Sequence, residues 1–208
     1  MKLELKPPGV FARFDREELK PLYDLSLKLE KDVTEYESMN RGLAGNISKQ
    51  IVLNSYYKNF ISTLLDPLLR EHINEYTYIK QQSTLATDCP IELTQAWMVL
   101  QEKYEFNPIH SHTGVFSFVI WLKIPYSCAL DEYKTKGGNS NPLDKFPGTF
   151  HFLATSDFRA TASEKIVLDS TYEKTILIFP SDLQHCVYPF YTSDEYRISV
   201  SGNLYLNF

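Results

Sequence analysis

From about Ile91 onward the 208-residue chain runs as short segments rich in Val, Ile, Phe, Tyr and Trp, parted by clusters of Pro, Gly, Asn and Asp. That punctuation leaves little room for helices and predicts an antiparallel sheet protein. Strands are expected over Gln95 to Leu100, Val115 to Ile124, Thr149 to Ala154, Lys165 to Leu168, Thr175 to Phe179, Gln184 to Pro189 and Arg197 to Leu206. Seven such strands fit a two-sheet jelly roll, and 14 Tyr, 13 Phe and 2 Trp supply the bulky side chains its core needs.

The first half reads differently. Asp15 with Glu18 three residues on has the form of a capping box, and Leu19, Leu22, Tyr23, Ser26 and Leu29 recur at helical spacing, with Pro21 marking where the helix proper starts. After Gly42-Leu43-Ala44-Gly45, the series Ile47, Ile51, Tyr56, Phe60, Leu64 and Leu68 keeps the same period, with Asp66-Pro67 expected to kink or restart the helix. The expectation is one domain over 1–208, mostly β with N-terminal helices: a helical layer over 1–90 on a jelly-roll core over 91–208. Tyr126 to Pro147, with Gly137-Gly138-Asn139-Ser140-Asn141-Pro142 inside it, is polar and unpatterned, and reads as a functional loop or a plain surface insertion.

Charge and cysteines narrow the classes. Twenty-one Lys and Arg against 26 Asp and Glu, with no basic run, disfavour a nucleic-acid partner. Cys89, Cys128 and Cys186 are odd in number and widely spaced, which fits neither a disulfide framework nor a zinc knuckle. With no apolar stretch of bilayer-spanning length and no apolar run at the start, the expected location is the cytoplasm. Asn46-Ile47-Ser48 matches a glycosylation triplet, a short pattern read as incidental.

Histidine placement carries the chemistry. His110 and His112 flank one residue just before the strand beginning at Val115, and on an extended backbone side chains at i and i+2 share a face, so two imidazoles converge. A third, His185, follows Phe179-Pro180-Ser181-Asp182-Leu183-Gln184 at the start of another strand, where it can complete a three-ligand face suited to iron. Surface or core histidines remain the alternative. In Arg197-Ile198-Ser199-Val200-Ser201, alternation puts Arg197, Ser199 and Ser201 on one face. An inward guanidinium needs an anion, either a bound carboxylate or an internal Asp or Glu; an edge-strand Arg facing water is the third option.

Together, the H-x-H pair, the distal His185 and the Arg197-Ile198-Ser199 triplet twelve residues beyond it resemble the iron(II)- and 2-oxoglutarate-dependent dioxygenase superfamily. The phrasing Asn-Pro-x-His-x-His, Phe-Pro-Ser-x-Leu-x-His-x-Val and Arg-x-Ser-x-Ser-x-Asn is most similar to a prolyl-hydroxylase-like branch, and Leu43-Ala44-Gly45-Asn46-Ile47 resembles members encoded by tailed bacteriophages, which would place the protein in the host cytoplasm. The resemblance implies a double-stranded β-helix, cupin-like, with His110, His112 and His185 as ligands of Fe(II) and Arg197 with Ser199 binding the far carboxylate of 2-oxoglutarate. It implies O2 as a further substrate and hydroxylation of an unidentified partner molecule, with a peptidyl side chain the preferred class.

His112 stands where this superfamily has a carboxylate. Either three neutral imidazoles form the site, or His112 stands behind the ligands, or an acid such as Asp131, Asp144 or Asp157 swings in. His151, in a strand similar to the family's G-x-L-x-F strand, is read as structural, with Phe150 and Phe152 inward; His72 is read as solvated, and Cys186 as a small buried hydrophobe on the face opposite His185. Two rival classes remain: a three-histidine cupin-like enzyme that uses no keto acid, and a non-enzymatic jelly roll of a virion or binding protein.

Overall fold

The computed structural model describes residues 2–6, 9–75, 90–135, 145–156 and 160–207, with the backbone alone described at 2–6, 71–75, 154–156 and 160–162. Its strands are β1 (Lys2–Lys6), β2 (Gly9–Arg13), β3 (Lys49–Val52), β4 (Ile91–Gln101), β5 (Asn107–His110), β6 (Phe116–Lys123), β7 (Phe150–Ser156), β8 (Ala160–Ile166), β9 (Thr175–Pro180), β10 (Gln184–Val187) and β11 (Arg197–Leu206). Two α-helices, α1 (Lys20–Leu29) and α2 (Ser55–Glu75), precede β4. The strands form two antiparallel sheets, a seven-stranded one in the order β1-β2-β9-β6-β11-β4-β3 and a four-stranded one in the order β5-β10-β7-β8. From β4 to β11 the chain crosses repeatedly between the sheets, so β5 and β10 become neighbours although 73 residues lie between their last and first residues.

Strand alternation divides the interior in two. Met98, Leu100, Phe118, Ile120, Ile176, Ile178 and Val200 face one way and pack with Leu22 and Leu25 of α1 and Ile61 and Leu65 of α2. Val119, Trp121, Leu177 and Phe179 face the other way, onto Phe150 and Phe152 of the small sheet. Burying side chains of this size stabilises by about 1.5–3 kcal/mol each, so both faces of the large sheet hold the layers together. Tyr23 ties α1 down by donating its hydroxyl to the Leu122 carbonyl at 2.9 Å. At Gly202 the packing tolerates no side chain: a Cβ there would lie 2.5 Å from the Gln95 carbonyl oxygen and 2.7 Å from the Phe118 ring.

The helical half departs from its sequence pattern. Residues 47–52 do not open a helix: β3 is an edge strand paired with β4, Ile51 opposite Met98, and α2 starts only at Ser55. Ile47 and Ile51 mimic one helical turn by spacing alone, and pairing with β4 overrides that. Residues 1–90 therefore contribute three strands, β1 to β3, besides the helices. Pro67 lies inside α2 without ending it, at an exposed position of the helix. The N–H of Asp15 does donate to Glu18 Oε2 at 2.7 Å, but as a turn ahead of α1, whose N-cap is Leu19 and whose first turn holds Pro21.

Candidate metal centre

His110 ends β5 and His185 is the second residue of β10, and these two residues are direct partners in the antiparallel register. His112 lies just beyond β5, where its N–H donates to the Ser181 carbonyl at 2.8 Å, while Ser181 N–H donates to the Val115 carbonyl at 3.1 Å. That pair of bonds latches the β5–β6 loop to the β9–β10 turn and fixes His112 against His185. One ligand nitrogen from each histidine lies within 4.8 Å of the other two. The ring centroids are 4.3 Å apart for His110 and His185, 4.9 Å for His110 and His112, and 5.1 Å for His112 and His185.

Hydrogen bonding sets which nitrogen faces inward. His110 Nδ1 meets the Pro108 carbonyl at 2.7 Å and His185 Nδ1 meets the Leu183 carbonyl at 2.9 Å. A carbonyl only accepts, so both Nδ1 atoms carry the proton, and each neutral ring is left with a bare Nε2 lone pair. Burial, reinforced by the neighbouring His110 ring, pulls His112 down to about 4 and His185 to about 3; burial also lowers His110. The three rings are therefore neutral at pH 7. Lone pairs that converge with no donor among the described residues fit a cation, and imidazole nitrogens suit iron, zinc or nickel ahead of magnesium or calcium. The site's walls are aromatic: Phe150 stacks on His185 at 5.5 Å and 11°, Phe179 meets its edge at 5.0 Å, and Trp97 lies 5.8 Å from His112.

No carboxylate joins the cluster among the described residues. Asp131 is exposed and accepts the Ser127 N–H at 3.1 Å, so it does not swing in; Asp144 and Asp157 lie outside the described residues. His151 is buried, on the face of β7 away from His185, with Nε2 2.7 Å from Thr149 Oγ1. Cys186 shares that outer face in register with His151, and burial raises its thiol to about 11, the behaviour of a small hydrophobe. The His72 side chain and Cys89 lie outside what is described.

The histidines open onto a cleft that also reaches Arg197, Ser199 and Ser201 of β11. Arg197 is only 3% exposed. Its Nη1 donates to the Tyr126 hydroxyl at 2.7 Å, its Nη2 donates to Gln101 Oε1, and no carboxylate among the described residues pairs with it. Neither the internal acid nor the solvent-facing edge is what this arginine meets. A buried cation held by two neutral groups is an incomplete ion pair, and a ligand carboxylate completes it. Tyr126 and Gln101, absent from the sequence reading, hold the guanidinium; nothing in their local sequence marks them, because Tyr126 sits in a loop and Gln101 at a strand end.

Residues 95–203 match the model of the family described as "Putative 2OG-Fe(II) oxygenase". The chain belongs to that family. It is accordingly an oxidoreductase using Fe(II) and 2-oxoglutarate, which answers both rival classes left open by the sequence. Among solved structures, this oxygenase is similar to a prolyl-4-hydroxylase from Pseudomonas putida, with 12% identity, a TM-score of 0.57 and coverage of 97% of this chain and 95% of that one. It is also similar to a prolyl hydroxylase from Trichoplax adhaerens in complex with a hypoxia inducible factor oxygen degradation domain peptide fragment, with 11% identity, a TM-score of 0.53 and coverage of 94% and 82%. At these identities the likeness is one of fold alone. No curated protein matches the chain. No helix among the described residues is long and apolar enough to cross a membrane.

Proposed function

We propose that the chain forms one oxygenase domain on a double-stranded β-helix, with His110, His112 and His185 holding Fe(II) and Arg197 with Ser199 anchoring the far carboxylate of 2-oxoglutarate. The observation that carries this is the convergence, in one cleft, of three neutral imidazoles and a buried guanidinium that no carboxylate among the described residues pairs with. The crossing of β4 to β11 between two sheets supports the β-helix. A ring nitrogen of His112 lies within 4.8 Å of one from each of the other two histidines, which favours a ligand over a residue standing behind them.

Bound iron supplies the oxygen chemistry: O2 and 2-oxoglutarate are consumed, succinate and CO2 leave, and one oxygen atom enters a C–H bond of the primary substrate. The protein's own part is binding and exclusion. Arg197 offers its donors as a fork matched to a carboxylate, Tyr126 and Gln101 keep that fork aimed, and Ser199 adds a hydroxyl on the same face. Phe150, Phe179 and Trp97 surround the ligating rings with carbon, which keeps water from the reacting centre. Three neutral ligands leave more positive charge on the metal than a set with a carboxylate would, which favours an anionic keto acid.

Both structural neighbours are prolyl hydroxylases, one of them with a bound peptide fragment, and a peptidyl side chain such as proline is the substrate class of this reading. Incubation of the iron-loaded chain with 2-oxoglutarate, O2 and proline-containing peptides is expected to yield succinate and peptides heavier by one oxygen atom, with both products lost in His185→Ala. Succinate formation that survives in His185→Ala contradicts the ligand assignment; succinate without peptide oxidation contradicts the substrate class.

A further inference from the structure

Resting on that reading, we propose that Gln50 is a recognition residue for the primary substrate, whose side-chain oxygen accepts a hydrogen bond from a peptide amide N–H. Gln50 lies on β3, the edge strand beside β4, and lines the same cleft as the histidines. It is 1% exposed, and its Oε1 has no partner among the described residues. Burying an amide oxygen with nothing to accept from is destabilising, so an orphan here calls for a ligand.

The orientation of the amide follows from its neighbours. Asn40 Nδ2 donates to the Ser48 carbonyl at 2.7 Å, which can only accept, so Asn40 turns its Oδ1 toward Gln50. Gln50 Nε2 meets that oxygen at 3.4 Å, and Gln50 Oε1 is left without a donor on a side chain that lines the cleft. The cleft therefore presents an acceptor there. The carboxylates and keto oxygen of 2-oxoglutarate are acceptors too, so the keto acid does not satisfy it. Position agrees: Gln50 pairs with Val99 and Val99 with Ser199, which puts Gln50 two strand spacings, about 10 Å, from the keto-acid strand.

Val99, the register partner of Gln50, packs with Ile47 and Leu43, side chains that offer carbon and no donors. A hydroxyl brought there leaves its own lone pairs unmet, whereas an amide N–H is a donor with nothing further to satisfy, and apolar groups flanking it fill the wall. The segment carrying Leu43 and Ile47 is held over the metal side of the cleft by two backbone bonds, Asn46 N–H to the Phe106 carbonyl at 2.8 Å and Phe106 N–H to the Asn46 carbonyl at 3.4 Å. It leads straight into β3, so the wall and the acceptor are delivered together.

The test uses the full chain with 2-oxoglutarate and Zn(II) in place of iron, so that no turnover occurs, and three probes: acetyl-proline N-methylamide, its N,N-dimethylamide, and the analogue ending in a hydroxymethyl group. Dissociation constants come from ligand-observed NMR, with keto-acid affinity measured separately by calorimetry. The expected result is that the N-methylamide binds about fivefold to tenfold more tightly than either other probe, that Gln50→Met erases the difference, and that keto-acid affinity is unchanged. Equal binding of N-methylamide and dimethylamide to the wild type, tightest binding by the hydroxymethyl probe, no saturable binding by any probe, or a preference that persists in Gln50→Met overturns the inference while leaving the metal site standing. Loss of keto-acid binding by the wild type itself overturns the underlying reading instead.

Discussion

Replacing Arg197 with Met separates a binding residue from a structural one, because the two roles predict opposite signs. In the ligand-free protein the substitution removes a buried cation that pairs with no carboxylate among the described residues; replacing even a buried ion pair by apolar groups is neutral or stabilising by about 1–4 kcal/mol. Against that, Gln101 Oε1 loses its donor, at about 1–3 kcal/mol. Tyr126 loses less, because its hydroxyl still donates to the Gly148 carbonyl at 2.7 Å. The two effects nearly cancel, and the net change in stability is expected within about 2 kcal/mol. The keto acid, by contrast, loses the charged partner of its carboxylate in a dry site, at about 3–5 kcal/mol, or between about a hundredfold and a few thousandfold in affinity. Thermal melting of the ligand-free variant and anaerobic calorimetric titration of 2-oxoglutarate into the metal-loaded protein read the two quantities. A fall in Tm of about 10 °C or more with keto-acid affinity unchanged would refute the reasoning and make Arg197 a structural residue.

Tyr126→Phe removes one of the two groups that aim the guanidinium while keeping the ring stacked 4.8 Å from Phe190, so 2-oxoglutarate affinity is expected to fall by about threefold to tenfold in the same titration. Glu132 is fully buried, and its carboxylate accepts the N–H groups of Tyr191 at 2.8 Å and Thr192 at 2.9 Å; Glu132→Gln puts a donor against one of them, and urea unfolding is expected to show a loss of about 1–3 kcal/mol. Gly202→Ala forces a methyl against the Gln95 carbonyl and the Phe118 ring, with an expected loss of about 1–3 kcal/mol by the same measurement and no effect on metal stoichiometry.

Much of the fold was legible because β4, β6, β7, β9, β10 and β11 are long or apolar enough for a two-residue period to stand out. The strand that carries His110 was not. β5 is four residues with Pro108 inside, a residue that cannot donate to a ladder and so reads as loop; it is tolerated because β5 is the edge of its sheet. β3 was hidden by Ile47 and Ile51, whose spacing imitates a helix, and with it went Gln50, whose Oε1 has no partner among the described residues. His185, Arg197 and Ser199 could be singled out by strand alternation and chemical type, and His110 and His112 by chemical type and their i, i+2 spacing; all five line one cleft. Tyr126 and Gln101 could not, since only tertiary packing brings a loop tyrosine and a strand-end glutamine to the same guanidinium.

The central claim is that these three imidazoles and this guanidinium build one iron and 2-oxoglutarate site. Anaerobic addition of Fe(II) and then 2-oxoglutarate to the full chain, followed by visible absorption, tests it most directly. The account predicts a weak charge-transfer band that saturates at one iron and one keto acid per chain, is lost in His110→Ala, His112→Ala and His185→Ala, and needs far more keto acid in Arg197→Met. A folded wild-type protein that develops no band, or a band indifferent to the histidine substitutions, would contradict it.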